Sequence, residues 1–316
     1  MLKLLVCGSI NWDTIIFVDE FPKSGEEVKA NNVMSLAGGK GGNTAVAAAK
    51  IINGVGIIGV LGYDEIADKH LSTFTKDGID TSLIFRKDTQ SGQAYIIIDK
   101  NGENIIYTYK RANFMLDIND IERISDRIND AEIVIVIDPL LEVAERLIDL
   151  AYERGKKVIF MPALLTKHGL DKLEDSLMRA DFVILNEHEA MNLTNNNAIV
   201  SSKILSNKFG KIIVTRGNKG CIFAHNDKQI FVPTMDLSLF NMKSISSVGA
   251  GDTFTGVFSA LLLKGYSEIE SIFAANIAAA LKTTRYGARD SPTYDEIRRY
   301  LTDHRVKSIY KEIKFT

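Results

Sequence analysis

The sequence predicts an α/β fold: a mostly parallel sheet flanked by helices, with a small β-sheet lid. Three observations carry this. From residue 131 onward short apolar runs alternate with amphipathic helical stretches, the pattern of a parallel sheet covered on both faces. Two hairpin-like insertions, near 12–36 and 90–111, interrupt the first third. Their connections are too short for parallel crossovers, so they form a separate sheet over one edge of the main one. Finally, 316 residues that are 46% apolar suffice for one large domain or two ordinary ones, and the chain is read as one domain spanning 1–316.

The elements run in this order. "KLLVCGSI" is a buried strand. "DTIIFVDEF" and "EEVKANNVM" are two strands joined around Pro22–Gly25. "GGNTAVAAAKII" is a small-residue helix and "GVGIIGVLG" a strand. Asp64 caps a helix through "EIADKHLSTFTKDG". "SGQAYIIID" and "ENIIYTYK" form a hairpin with Asn101-Gly102 as its turn. Strands "AEIVIVID", "KKVIFMP", "DFVILN" and "KIIVTRG" then alternate with helices "LLEVAERLIDLAYERG", "LDKLEDSLMRA", "EHEAMNL" and "VSSKILSNKFG". "GCIFAHNDKQIFVP" is a hairpin around Asn226-Asp227. "SSVGAGDTFTGVFSALL" is a small-residue turn running into an apolar helix. The weak alternation of "HRVKSIYKEIKFT" predicts one more strand.

Composition excludes several classes. The formal charge is −2, from 38 basic and 40 acidic side chains, which leaves no nucleic-acid footprint. Cys7 and Cys221 lie in separate apolar runs without metal-like spacing, as expected of reduced thiols in a cytoplasmic protein. The N-terminal segment turns polar after seven residues, too soon for a signal peptide, and no apolar run reaches the ~20 residues of a membrane helix.

Gly54-Val55-Gly56-Ile57-Ile58-Gly59 fits G-x-G-x-x-G but comes after a helix and enters a strand, the reverse of a dinucleotide fingerprint. Gly39-Lys40 is followed by Gly41, so it is not a P-loop. "AGGKGGNTAVAAAK" is either a glycine turn before a packed helix or a ligand loop. Its glycines would admit a close ligand, and Lys40, Asn43 and the helix-start amides would donate. Asn186, with Glu187 and Glu189 after it, ends a strand; it reads as an N-cap or as a Mg²⁺ and phosphate site. Thr215, Gly217, Asn218 and Gly220 come after another strand, as a hairpin turn or as a contact to phosphate or ribose. In "GAGD" the amides of Gly249, Ala250 and Gly251 can converge on an anion. Asp252 beside them is a helix cap, or a base taking a proton from an attacking hydroxyl.

The two glycine signatures, "GGKGGN" at Gly38–Asn43 and "VGAGDTFTG" at Val248–Gly256, stand about two hundred residues apart. With "GSINWD" they make the sequence closely resemble the ribokinase-like, or PfkB, sugar and nucleoside kinases, nearest the ribokinase branch. The resemblance implies a Rossmann-like domain with a β lid and transfer of the ATP γ-phosphoryl group to a primary hydroxyl, of D-ribose by preference. It implies Asp252 as the base and the Gly249, Ala250 and Gly251 amides as the anion hole. Asn11, Asp13, Gly39, Lys40 and Asn43 would hold the sugar, and Asp138 stands where ribokinases carry a glutamate near it. Asn186 and Glu189 match the N-x-x-E motif that organises Mg²⁺. Thr215, Gly217, Asn218 and Gly220 match the nucleotide loop, and Asn276 would lie near adenine. A cytoplasmic homodimer through the lids is implied, with a sugar or nucleoside as partner and neither nucleic acid nor membrane.

Three positions depart from the pattern. Ser246 replaces an aspartate that helps to hold an activating K⁺. Trp12 stands where a small residue is usual; facing the pocket it would stack on a nucleoside base or close the sugar site, and facing away it would pack in the lid or dimer interface. Strand alternation favours the second. Arg111, near Tyr107 and Tyr109, would clamp a sugar acid if it entered the pocket, and otherwise lies on the surface.

Overall fold

Leu4 and Val6 enter one apolar core while Leu5 and Cys7 enter another. This two-sided sorting of alternate residues is what a strand buried on both faces requires. The computed structural model describes residues 2–311 and 313. In its first part the chain runs β1 (Leu4–Gly8), β2 (Asn11–Val18), β3 (Ala30–Gly38), α1 (Lys40–Ala49), β4 (Val55–Leu61) and α2 (Glu65–Lys76). Next come β5 (Ile84–Arg86), β6 (Gly92–Ile98), β7 (Asn104–Tyr109), α3 (Ile118–Arg123) and α4 (Ser125–Ile128). Then come β8 (Ile133–Ile137), α5 (Leu141–Glu153), β9 (Lys157–Met161), α6 (Leu170–Arg179), β10 (Phe182–Asn186), α7 (Glu187–Thr194) and α8 (Ala198–Phe209). The chain continues with β11 (Lys211–Thr215), β12 (Cys221–His225), β13 (Lys228–Val232), α9 (Ala250–Leu263), α10 (Glu268–Thr283), α11 (Tyr294–Thr302) and α12 (His304–Lys311).

Nine strands form the main sheet in the order β13-β12-β11-β10-β9-β8-β1-β4-β5. All its pairings are parallel except those of β12 with β11 and β13. The two apolar cores cover its faces with helices. The other four strands form a separate sheet in the order β3-β2-β6-β7. Among the described residues no helix is long and apolar enough to cross a membrane.

Three local expectations change. The strand expected over 26–34 lies at Ala30–Gly38, because register with β2 (Asn11 opposite Gly38) positions it rather than local composition. The hairpin expected around Lys100-Asn101-Gly102 is present, but its loop is wider by one residue on each side, running from Asp99 to Glu103. Ile98 pairs with Asn104, and the Asp99 carboxylate organises the loop between them by accepting from the amides of Asn101 and Glu103. The strand expected at 304–316 is instead α12 over its described part; residues 312 and 314–316 lie outside the described residues. Val306 is buried and the Tyr310 ring packs on Phe273 at 5.1 Å, a helical spacing of four that mimics alternation in a short stretch.

Candidate active site

Parallel strands all end at the same edge of a sheet, so the residues just past each carboxyl end are gathered there. Ser9 comes after β1, Asp138 after β8, Asn186 ends β10 and Thr215 ends β11. α1 and α9 start at this edge too. Both begin from a glycine at positive φ, Gly39 at 86° and Gly249 at 80°, and neither has a side-chain cap. Ser9 engages two of the α1 amides: its Oγ accepts from Lys40 and its carbonyl from Gly42. The α1 start therefore offers fewer free donors than its sequence implies. At α9, Ala250 N–H donates to the Ser247 carbonyl, so this amide of the expected nest already has a protein partner. A Cβ built on Gly251 would meet open space.

Asp252 does not cap α9. It is buried in the first turn, and its Oδ2 accepts from Asn43 Nδ2 at 2.7 Å. Thr44 Oγ1 reaches the Asp252 carbonyl at 3.3 Å. Burial pushes the Asp252 carboxyl up; Lys40, the Asn43 hydrogen bond and Lys282 pull it down. Asp13 is also buried. Burial raises it to about 7, with Arg289 and Lys40 opposing and Asp252 adding to the rise.

Asn11 is held in place by Asn113, whose Nδ2 donates to Asn11 Oδ1 at 2.7 Å while its Oδ1 accepts from Ile10 N–H. Asp138, at φ 49°, is raised by burial and lowered chiefly by Lys110 and Lys40; Lys110 Nζ lies 3.9 Å from its Oδ2. Asn186 and Glu189 form a capping box, each side chain bonded to the other's amide. Burial raises Glu189, Lys40 lowers it, and Asp138 and Asp252 raise it further. Lys40 therefore influences four carboxyls drawn from four separate stretches of chain, two of them buried and two half-buried.

A cleft of about 600 Å³ adjoins this cluster. Thr215, Gly217, Asn218, Gly220, Ala250, Gly251 and Asn276 are among the residues that line it. Asn276 Nδ2 is already bonded to the carbonyls of Val232 and Pro233 at 3.0 and 3.3 Å. It braces the cleft rather than presenting a free amide to a ligand.

Two singled-out residues stand apart. Arg111 is exposed, and its Nε donates to the Tyr109 hydroxyl at 2.6 Å. Trp12 bonds Ser35 through Nε1 and meets the His70 ring edge-on at 5.2 Å. It packs on the main domain at α2 rather than into a free lid surface.

The sequence reading missed Ser9, Asn113, Lys282 and Arg289. Arg289 is buried, donates to the Gly38 carbonyl at 2.7 Å and lies over the Phe74 ring at 4.4 Å. Lys282 could have been found: it lies four residues after Ala278 and seven after Ala275, on the apolar stripe of its helix, where a lysine needs partners.

The family model described as pfkB family carbohydrate kinase matches residues 1–294. The chain is 31% identical to the ribokinase of Haemophilus influenzae over 94% of its length and 98% of that protein's. It is 28% identical to the deoxyribokinase of Salmonella typhi, over 95% and 99%. The crystal structure of ribokinase from Thermotoga maritima superposes with a TM-score of 0.81 at 27% identity, covering 96% of this chain and all of that one.

Proposed function

The chain belongs to the pfkB family of carbohydrate kinases, and we propose that it transfers the γ-phosphoryl group of ATP to the primary 5-hydroxyl of D-ribose. It is an ATP-dependent carbohydrate kinase; the acceptor and the residue roles are our reading. The observation that carries them is the bond from Asn43 to Asp252, which makes the glycine loop and the candidate base one unit.

In this reading the sugar lies between the two sheets, against Asn11, Asp13, Gly39, Lys40 and Asn43, with Asp138 beside it. Asp252 takes the proton of the 5-hydroxyl as that oxygen bonds to the γ-phosphorus. The bond from phosphorus to the β–γ bridging oxygen breaks, and ADP leaves with its electron pair. Burial favours Asp252 as a proton acceptor by holding its carboxyl above the ordinary range. The amides of Gly249 and Gly251, with that of Ala250 once it turns from Ser247, face charge on the transferring group. ATP occupies the cleft by Thr215, Gly217, Asn218, Gly220 and Asn276.

Mg²⁺ keeps several waters and needs only one or two carboxylates beside the phosphates. Among the described residues no group of three or more His, Cys, Asp or Glu is arranged around a metal. Glu189, with Asn186, fits that sparse demand, and the ion would supply charge neutralisation on the phosphates.

The four-stranded sheet acts as a lid on the single domain, shielding the transfer from water. Lys110, after β7, already reaches Asp138 on the main sheet. The other face of the small sheet carries an apolar row, Val33–Ile16–Ile97–Ile105, across all four of its strands. Val33 and Ile105 are exposed, so we read this row as the homodimer surface. The lodging of Trp12 against His70 weakens a nucleoside reading, and the bond of Arg111 to Tyr109 weakens a sugar-acid one.

The test is ADP release with ATP and Mg²⁺ over a panel of ribose, 2-deoxyribose, fructose, 2-keto-3-deoxygluconate and the common nucleosides. The highest kcat/KM is expected on ribose. A higher value on any other member would replace ribose as the acceptor, and no turnover on any would favour a sugar-sensing protein.

A further inference from the structure

Lys282, in the last turn of α10, is fully buried. A buried ammonium is retained only where oxygen atoms replace its water. Its Nζ donates to the carbonyls of Ser246 at 3.1 Å and Arg285 at 3.5 Å. Ser246 lies at the head of the turn that leads to Gly249 and Asp252, and its own amide donates to the Thr283 carbonyl at 3.0 Å. The turn beyond α10 is handled in the same way. Lys50 Nζ takes the carbonyls of Arg289 and Ser291 at 3.1 and 2.7 Å, and Arg285 Nη1 takes those of Asp290 and Ser291 at 3.1 and 3.3 Å.

These residues do not fit an exchangeable monovalent cation. Such an ion needs a shell of oxygens, preferably with a negative charge among them. Here Ser246 brings no charge, and five carbonyls of the region already accept from lysine or arginine. A metal ion placed there would also face the Lys282 ammonium at close range and be repelled.

We propose that the Lys282 ammonium is a built-in cation that holds the turn carrying Gly249 and Asp252, so that this enzyme works without K⁺. The proposal rests on the kinase reading above. Lys282 is a positioning residue: it touches the turn, not the substrate. Its charge also lowers the Asp252 carboxyl, against the effect of burial.

The test compares wild type with Lys282→Met in chlorides of K⁺, NH₄⁺ and tetramethylammonium at one ionic strength. Turnover, ADP affinity by calorimetry and melting temperature are read in each. Wild type is expected to give the same values in all three salts, within about twofold in turnover and affinity. Lys282→Met is expected to lose about tenfold or more in kcat in tetramethylammonium, with ribose KM little changed, and to regain part of it in K⁺ or NH₄⁺. A steep K⁺-specific rise in wild-type turnover, ADP affinity or melting temperature would overturn the proposal. So would a Lys282→Met enzyme as active as wild type in tetramethylammonium. Should the variant not fold, the wild-type salt series decides alone. Absence of turnover on every acceptor would count against the kinase reading, while melting temperature and ADP affinity still judge this one.

Discussion

The Asn43 side-chain amide donates to the Asp252 carboxylate at 2.7 Å, across 209 residues of sequence. It joins the start of α1 to the first turn of α9, so the glycine loop cannot shift without moving the candidate base. Asn43→Ala leaves a buried carboxylate without that partner and raises its pKa further. A hydrogen bond to a charged group is worth about 1.5–3 kcal/mol, so kcat should fall about ten- to a hundredfold. The acid limb of the kcat profile should move to higher pH. An unmoved limb would mean that Asn43 does not tune Asp252.

Asp13 gives a second pH signal. Burial raises its carboxyl to about 7, so the free site holds a proton there below that pH and a carboxylate above it. Sugar hydroxyls donate to a carboxylate, so kcat/KM for ribose should drop as pH falls through 7. Asp13→Asn should lower kcat/KM and flatten that limb. The stability sign is opposite: a raised folded pKa favours the fold most below the unfolded value of 3.8, and this is lost as pH rises through 7. Thermal melts of wild type and Asp13→Asn across this range check the second half.

The apolar row across the small sheet makes an assembly prediction. Ile105→Lys places a charge at the end of the row it forms with Ile97, Ile16 and Val33. Sedimentation should show a dimer for wild type and a monomer for the variant. A wild-type monomer at micromolar concentration would remove the dimer from the account.

Arg111 should matter little for ribose. Its guanidinium is exposed and held by Tyr109, so Arg111→Ala should keep ribose kcat/KM within about twofold. A large loss in KM would bring the arginine back into the pocket and revive a sugar-acid acceptor.

Much of this was legible in the sequence. Apolar runs such as Leu4–Gly8 and Ile133–Ile137 are fully buried strands, and their composition admits little else. Gly39 and Gly249 marked two helix starts that meet at one edge. What escaped depends on partners distant in sequence. Asn113 matters because it grips Asn11 from 102 residues away, and Arg289 because it reaches the Gly38 carbonyl from 251. Neither has a local signature. The position of β3 was set by its neighbour's register, and α12 was too short for its period to be read.

The most direct test of the central claim is Asp252→Asn, assayed for ADP release with ribose, ATP and Mg²⁺, beside calorimetry of ribose and ADP binding. General-base catalysis contributes about 10²–10⁴-fold, so turnover should fall by that order while both affinities stay near wild type. Turnover within a few fold of wild type, or loss of binding in step with loss of rate, would contradict Asp252 as the base.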